Sequence, residues 1–456
     1  MPVSITLARA VGLALAVLPG AVWASQFEYS IYGSIEHSDN ITLSDSNPIS
    51  QNVFSPGVNF TYAQQGSVFQ ANVTGTLQYN DYLGHQFSDQ TQTELAAQAN
   101  WTVLPKRLDF TVEDYAGVEP VDSLASNAPN NQQQTNVLSL GPTLHLQFGD
   151  IMRAQLELHY LNSYASKVQD FNSSRGMAAF RLYRDLSPTD TLSLNIESQR
   201  VRFNNSVASE LVDGADDTFA TPNYTRNQIY GEYASTLAHF DADLLLGWSR
   251  INFNGAPDDS KPLARATLGW QFNPSNALSV TGEYEFSDAA QDMLLQPGQS
   301  IVNALSENPT DFLDNPGGGI STGNLVIDSE VYLEKSLQAT YTYHTERLQF
   351  SISPTYDKLE YLNNSTFDQA TRGGTISVDY HLRPRTTLTG FVNVERQTYE
   401  SLSRTDTTYR YGVDLGHQLT PHWTWHVSYI RQLRSSTAIA QSYHENEIYF
   451  SVVFKR

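Results

Sequence analysis

Between Phe54 and Tyr82 the chain alternates apolar and polar side chains over two consecutive runs, and few folds accept such a ribbon. In the first run Pro56, Val58, Phe60 and Tyr62 share one face, with Gly57, Asn59, Thr61 and Ala63 between them. After Gln64-Gln65-Gly66-Ser67 the rhythm restarts. Phe69, Ala71, Val73, Gly75, Leu77 and Tyr79 then alternate with Gln70, Asn72, Thr74, Thr76, Gln78 and Asn80. Period two belongs to strands, so the spacing predicts a hairpin with one apolar face and one polar, uncharged face. The second arm exceeds the usual soluble strand of about 5–6 residues, and it ends in aromatics. Long two-faced strands with aromatic ends suit a sheet that crosses a bilayer.

The same unit recurs to the end of the chain. Leu138, Leu140, Pro142, Leu144, Leu146 and Phe148 turn at Gly149-Asp150 into Met152, Ala154, Leu156, Leu158 and Tyr160. Tyr409, Tyr411, Val413 and Leu415 turn at Thr420-Pro421-His422 into Trp423, Trp425, Val427 and Tyr429. With its share of connector each strand takes about 22 residues, room for the ~9–11 of a tilted membrane strand. Short turns alternate with polar loops such as Ala116–Gln134, Asn204–Pro222, Ser287–Ile327 and Leu362–Ala370. An up-and-down barrel requires that alternation, whereas Greek keys do not. The fold expected is all-β: a transmembrane antiparallel up-and-down barrel of about 20 strands, in the range 18–20, with apolar rows on lipid and polar rows on a lumen. A propeller would repeat a motif in each ~40–45-residue blade, and none recurs.

Composition agrees. Only 16% of residues are charged, against about 25% in soluble proteins, and neutral polar residues fill the difference. The net charge of -21 argues against nucleic acid as a partner. There are no cysteines, which excludes disulfides and thiolate metal ligation. Residues 1–24 read as a secretory signal, with Arg9, the apolar Ala10–Val17 and a small-residue pattern at Val22-Trp23-Ala24. Residues 25–456 then form one barrel domain, expected in the outer membrane of a Gram-negative cell with its lipid as a partner.

Three local patterns resemble the outer-membrane barrels found with exopolysaccharide and exosortase (PEP-CTERM) systems. They are Asp39-Asn40-Ile41-Thr42-Leu43, the run from Trp101 through Pro105 to Leu108 and on to Asp114, and Asn136 followed by Gly141-Pro142. The resemblance implies a barrel linked to export of surface polysaccharide or protein, working with other envelope components and carrying no assigned catalytic residues. One departure is the C-terminus, where Phe454 is followed by Lys455-Arg456 rather than closing the chain on an aromatic residue.

No catalytic, cofactor or metal motif stands out, so the chain is not expected to be an enzyme or to hold a cofactor. His145 and His159 fall on lumen faces of neighbouring strands, where they serve as polar filling. Charges of both signs fall on lumen positions: Arg153 and Glu157, then Arg181, then Glu197; Arg265 near Glu283 and Glu285; Arg410 and Asp414 near Glu447. They read as ordered interior pairs or as a constriction that guides a polar solute. Tyr32, Tyr183 and Tyr449 join them on this register. The long acidic loop Ser287–Ile327 contains Met293-Leu294-Leu295, something to bury, and so reads either as a lid folded into the barrel mouth or as a solvated surface loop. The leading function is a conduit for exopolysaccharide or another surface polymer. A general diffusion porin for small polar solutes is the alternative.

Overall fold

The computed structural model describes residues 25–204, 223–294, 327 and 329–456. The signal segment 1–24 lies outside the described residues, as do 205–222 and Leu295. Twenty strands run in chain order: β1 Ser25–Ser38, β2 Gln51–Gln65, β3 Phe69–Tyr82, β4 Gln90–Leu104 and β5 Leu108–Pro120. Next come β6 Gln132–Phe148, β7 Met152–Ala165, β8 Ser173–Asp185, β9 Asp190–Phe203 and β10 Tyr224–Thr236. Then β11 Phe240–Phe253, β12 Asp259–Asn273, β13 Asn276–Asp288, β14 Val331–His344 and β15 Leu348–Tyr361. Last are β16 Gln369–Arg383, β17 Thr386–Tyr399, β18 Arg404–Gln418, β19 Trp423–Ser436 and β20 Tyr443–Lys455. A one-turn helix, α1 (Ala289–Asp292), follows β13.

Every strand is antiparallel to its chain neighbours, and β1 pairs with β20 from Ser30↔Lys455 to Ser38↔Glu447. The ring is therefore closed and leaves no sheet edge to meet lipid. At one end the connectors have two to four residues; at the other they range from four to 42. That is the alternation expected of a barrel with short periplasmic turns and longer outer loops.

The rows of the opening hairpin take the faces their period dictates. Phe54, Val58 and Leu77 lie exposed on the outside, whereas Ser55 and Asn80 are buried inside. Around the ring the exterior is apolar at mid-height; Leu246, 71% exposed, is the extreme case. Aromatics band both ends. Trp101, Phe148, Trp270 and Trp423 lie toward the short turns, and Tyr79, Tyr160, Trp248 and Tyr409 toward the long loops. An apolar belt between two aromatic girdles is the surface of a barrel that spans a membrane.

Three loops differ in extent from expectation. The loop expected over Ala116–Gln134 is only 121–131, because β5 continues to Pro120 and β6 begins at Gln132. The run Gln132-Gln133-Gln134 gave no contrast between faces, so backbone pairing was invisible there. Ser287 and Asp288 still belong to β13, and the loop after Leu362 ends before β16 begins at Gln369.

Candidate functional site: the lumen and its outer mouth

The inner wall is lined by hydroxyls and amides joined across strands. Tyr32 donates to Gln78 at 2.7 Å, Ser55 to Asn80 at 2.8 Å, and Gln78 to Asn80 at 2.6 Å. Tyr32 finds room because its cross-strand partner is Gly57; a Cβ at Gly57 would stand 2.3 Å from the Tyr32 ring.

Charged residues stand among them. Arg181 lies between two carboxylates, 2.9 Å from Glu157 and 3.6 Å from Glu197, and also donates to the Tyr230 hydroxyl. Arg153 is apart from this group: it meets Asp185 at 2.6 Å near the short turns, with its guanidinium over the Tyr183 ring. Arg265 faces Glu283 across β12 and β13, and Glu285 is buried one dyad step above. Arg410 sits over the Phe391 ring. Asp414, four residues further along the same strand, instead takes His426 at 3.0 Å and Ser428 at 2.7 Å. Glu447 is on β20 near Glu445, which accepts from Ser38 at 2.5 Å. His145 bonds Asp109 at 3.0 Å, and His159 is half-buried. Among the described residues no group of three or more His, Asp or Glu is arranged to hold a metal ion.

The decisive geometry is at the outer mouth. Pairing between β12 and β13 stops at Ala264↔Tyr284, yet β12 stays on β11 to Asp259 and β13 stays on β14 to Asp288. Above that point the tip of the β13–β14 hairpin leaves the wall. Lower down, the outward face of this hairpin carries Leu278 and Leu337. At the tip the same face carries Phe286, Val331 and Leu333, which pack on Val201, Phe203, Ile251 and Phe253. Those four belong to inward faces of β9 and β11. A hairpin can lay its outer face on the inner wall only by bending over the lumen.

The bend is held by a buried ion pair. Asp288 meets Arg175 of β8 at 2.7 Å, both about 3% exposed, and accepts from the Tyr224 hydroxyl at 2.8 Å. Asp288 also caps α1, accepting from the backbone N–H groups of Ala290 and Gln291. Arg226 of β10 donates to the Phe286 carbonyl at 3.0 Å. Beyond the cap, Ala289, Ala290, Met293 and Ile327 pack on Val137 of β6, Ala165 of β7 and Phe171. Leu294 is partly buried against this cluster, and Leu295 lies outside the described residues. The segment thus spans the mouth from β13 to β6, a strap over the lumen.

A second tip bends the same way. β4 and β5 part at Leu95↔Ala116, while β5 follows β6 to Pro120↔Gln132. The side-chain amide of Gln134 fills the gap, donating to the carbonyls of Thr93 (2.6 Å) and Gly117 (2.8 Å). The following loop reaches β19, where Arg434 donates to the Ala125 carbonyl at 3.4 Å while pairing with Asp406.

Outside the strands two carboxyls of the strap region are shifted. Burial pushes Asp292 up to about 7, opposed by hydrogen bonds from Ser287 and Tyr332 and reinforced by Asp288 and Glu285. Burial likewise holds Glu330, just before β14, up to about 7.

Arg175, Arg226 and Gln134 were not among the residues singled out from the sequence, and Asp288 counted there only as one of the acidic residues of the long loop. A signal existed for one of them. Asp288 falls two residues after Phe286 on the parity that should meet lipid, a position where a carboxylate is costly.

These features decide the class of molecule. It is a membrane-spanning β-barrel of the outer-membrane type. Residues 370–456, the last five strands, match the sequence profile of the family described as "Putative beta-barrel porin 2". No curated protein matches the sequence. Among solved structures, the apoprotein form of the FrpB iron transporter from Neisseria meningitidis (F5-1 variant) is similar at 9% identity and a TM-score of 0.49, over 94% of this chain and 81% of that one. The siderophore receptor PirA from Pseudomonas aeruginosa is similar at 8% identity and a TM-score of 0.46, over 96% and 81%. The copper transporter OprC gives 10% identity and a TM-score of 0.45, over 96% and 81%. At such identities the likeness is one of barrel architecture alone.

Proposed function

We propose that this protein is a non-enzymatic outer-membrane conduit for carbohydrate, serving the export of exopolysaccharide or a related surface polymer. The observation that carries the reading is the combination of a wide polar lumen with a strap across its outer mouth. Barrels of 16–18 strands already leave an aqueous channel, and twenty strands leave more unless something crosses the opening. Inward hydroxyl and amide groups such as Asn59, Gln70 and Thr74 suit contacts with sugar hydroxyls that form and break in sequence as a chain slides. Inward acids, among them Glu36, Glu283, Glu285, Glu445 and Glu447, favour a neutral or cationic polymer over an anionic one. The paired interior charges, Arg181 with Glu157 and Glu197 and Arg265 with Glu283, keep the wall ordered and shape the path. The sequence resemblance to exopolysaccharide-associated barrels supports the same reading.

The profile match over residues 370–456 favours a second reading, a diffusion porin for small polar solutes. Deleting the gene separates the two. Loss of surface polysaccharide with unchanged uptake of small solutes supports export; slowed small-solute uptake with normal surface polysaccharide overturns it in favour of the porin. The signal segment 1–24 belongs to the same proposal, since a conduit in this membrane must first be secreted.

A further inference from the structure

The chain is strongly acidic, yet its outward face above the upper aromatic girdle is basic. On β16 and β17, Arg372 and Arg396 are direct cross-strand partners with exposed side chains on the outer face. The same register row continues to Tyr356 on β15, whose ring lies under the Arg372 guanidinium, and to Thr407 on β18. One strand further round, Lys335 and Lys358 are also cross-strand partners, and both are met by Glu360, at 2.8 and 3.0 Å. Arg372 and Arg396 have no such acid: among the described residues neither takes part in a salt bridge. Like charges directly opposite on a sheet face are destabilising, so this pair calls for an external anion.

Height identifies the anion. Arg396 stands one dyad step above Val394, whose partner Tyr409 belongs to the upper girdle, and just below the outer turn at 400–403. The girdle marks the level of lipid headgroups. Two guanidiniums side by side present planar forks suited to phosphate oxygens, one of them stacked on an aromatic face. The flanking Thr407 supplies a hydroxyl. We infer that the outer face of β15–β18 binds a phosphate-bearing lipid of the outer leaflet, the phosphate lying between Arg372 and Arg396 and the acyl chains on the apolar rows below. This goes beyond transport and does not depend on what the lumen carries.

The test is native mass spectrometry of the full chain in non-ionic detergent, titrated with bis-phosphorylated lipid A and with its dephosphorylated form. The wild type is expected to bind the phosphorylated lipid at least tenfold more tightly than the dephosphorylated one. R372E/R396E is expected to lose that preference, with its heat-modifiable gel mobility reporting an intact barrel. Should the charge-reversed chain not fold, R372Q/R396Q is read instead, with the same expectation. Equal binding of the two lipids by the wild type, or an unchanged preference in the folded double variant, overturns the assignment.

Discussion

Arg175 on β8 and Asp288 at the tip of β13 meet at 2.7 Å across the barrel mouth, although four strands separate them in the wall. This contact turns a hairpin tip into a strap, because the carboxylate also caps α1 and so fixes the direction of the chain after the bend. Removing one member of a buried pair strands the other charge, typically at about 3–5 kcal/mol. Arg175→Met is therefore expected to release the strap while the barrel stays closed. The chain lacks cysteine, so Met293→Cys gives a clean probe. Its thiol should resist a water-soluble maleimide in the otherwise native chain and react readily once Arg175→Met is added.

Docking of the strap should weaken as pH rises. Asp292 ordinarily titrates near 3.8 and is pushed up to about 7 where it is buried; Glu330 is raised in the same direction. A raised carboxyl pKa means that the docked state holds a proton that the undocked state gives up. Docking is thus strongest at low pH, declines from about pH 4 toward 7, and carries its full penalty above 7. The neighbours facing Asp292 are acidic (Asp288, Glu285 and Glu334), with Arg175 and Arg226 beyond Asp288. The Met293→Cys probe should react faster at pH 8 than at pH 5 after correction for thiolate content, and Asp292→Asn should flatten the difference.

Gly57 should tolerate no side chain. A Cβ there falls 2.3 Å from the Tyr32 ring, so Gly57→Val expels the tyrosine and breaks its bond to Gln78. Overpacking of this kind costs about 1–3 kcal/mol. The temperature at which the barrel loses its compact gel mobility should fall, and Tyr32→Ala in the same chain should recover part of the loss.

The two faces should respond oppositely to charge. Leu246 is the most exposed residue of the mid-height exterior in β11, and an arginine on the lipid face near the bilayer midplane costs ~2–4 kcal/mol. Leu246→Arg should lower the yield of folded barrel in lipid vesicles. Asn59→Arg, on the wet inner face, should leave that yield unchanged.

Period two made the wall legible from sequence. It assigned Phe54 and Leu77 to lipid and Asn80 to the interior because each strand is long enough to repeat its pattern several times. The same period concealed the bends. Parity runs unbroken through Leu278, Tyr284 and Phe286, and alternation reports which face a side chain takes but not whether the ribbon has left the wall. Pairing across the lumen, Arg175 with Asp288 or Arg434 with the Ala125 carbonyl, joins residues far apart in the chain and leaves no local trace. Interior charges were legible as types and some as neighbours, Arg181 with Glu157 and Glu197, but other partners were not: Asp414 takes His426, and Arg153 takes Asp185 at the strand end. Met293 was legible as something to bury; its seat on Val137 was not.

The most direct test of the strap is planar-bilayer conductance of the full chain against a variant in which residues 289–330 are replaced by a short glycine turn. The variant is expected to show a severalfold higher single-channel conductance, together with entry of larger neutral oligosaccharides. Equal conductance and an equal size limit in the two channels would contradict a strap across the mouth.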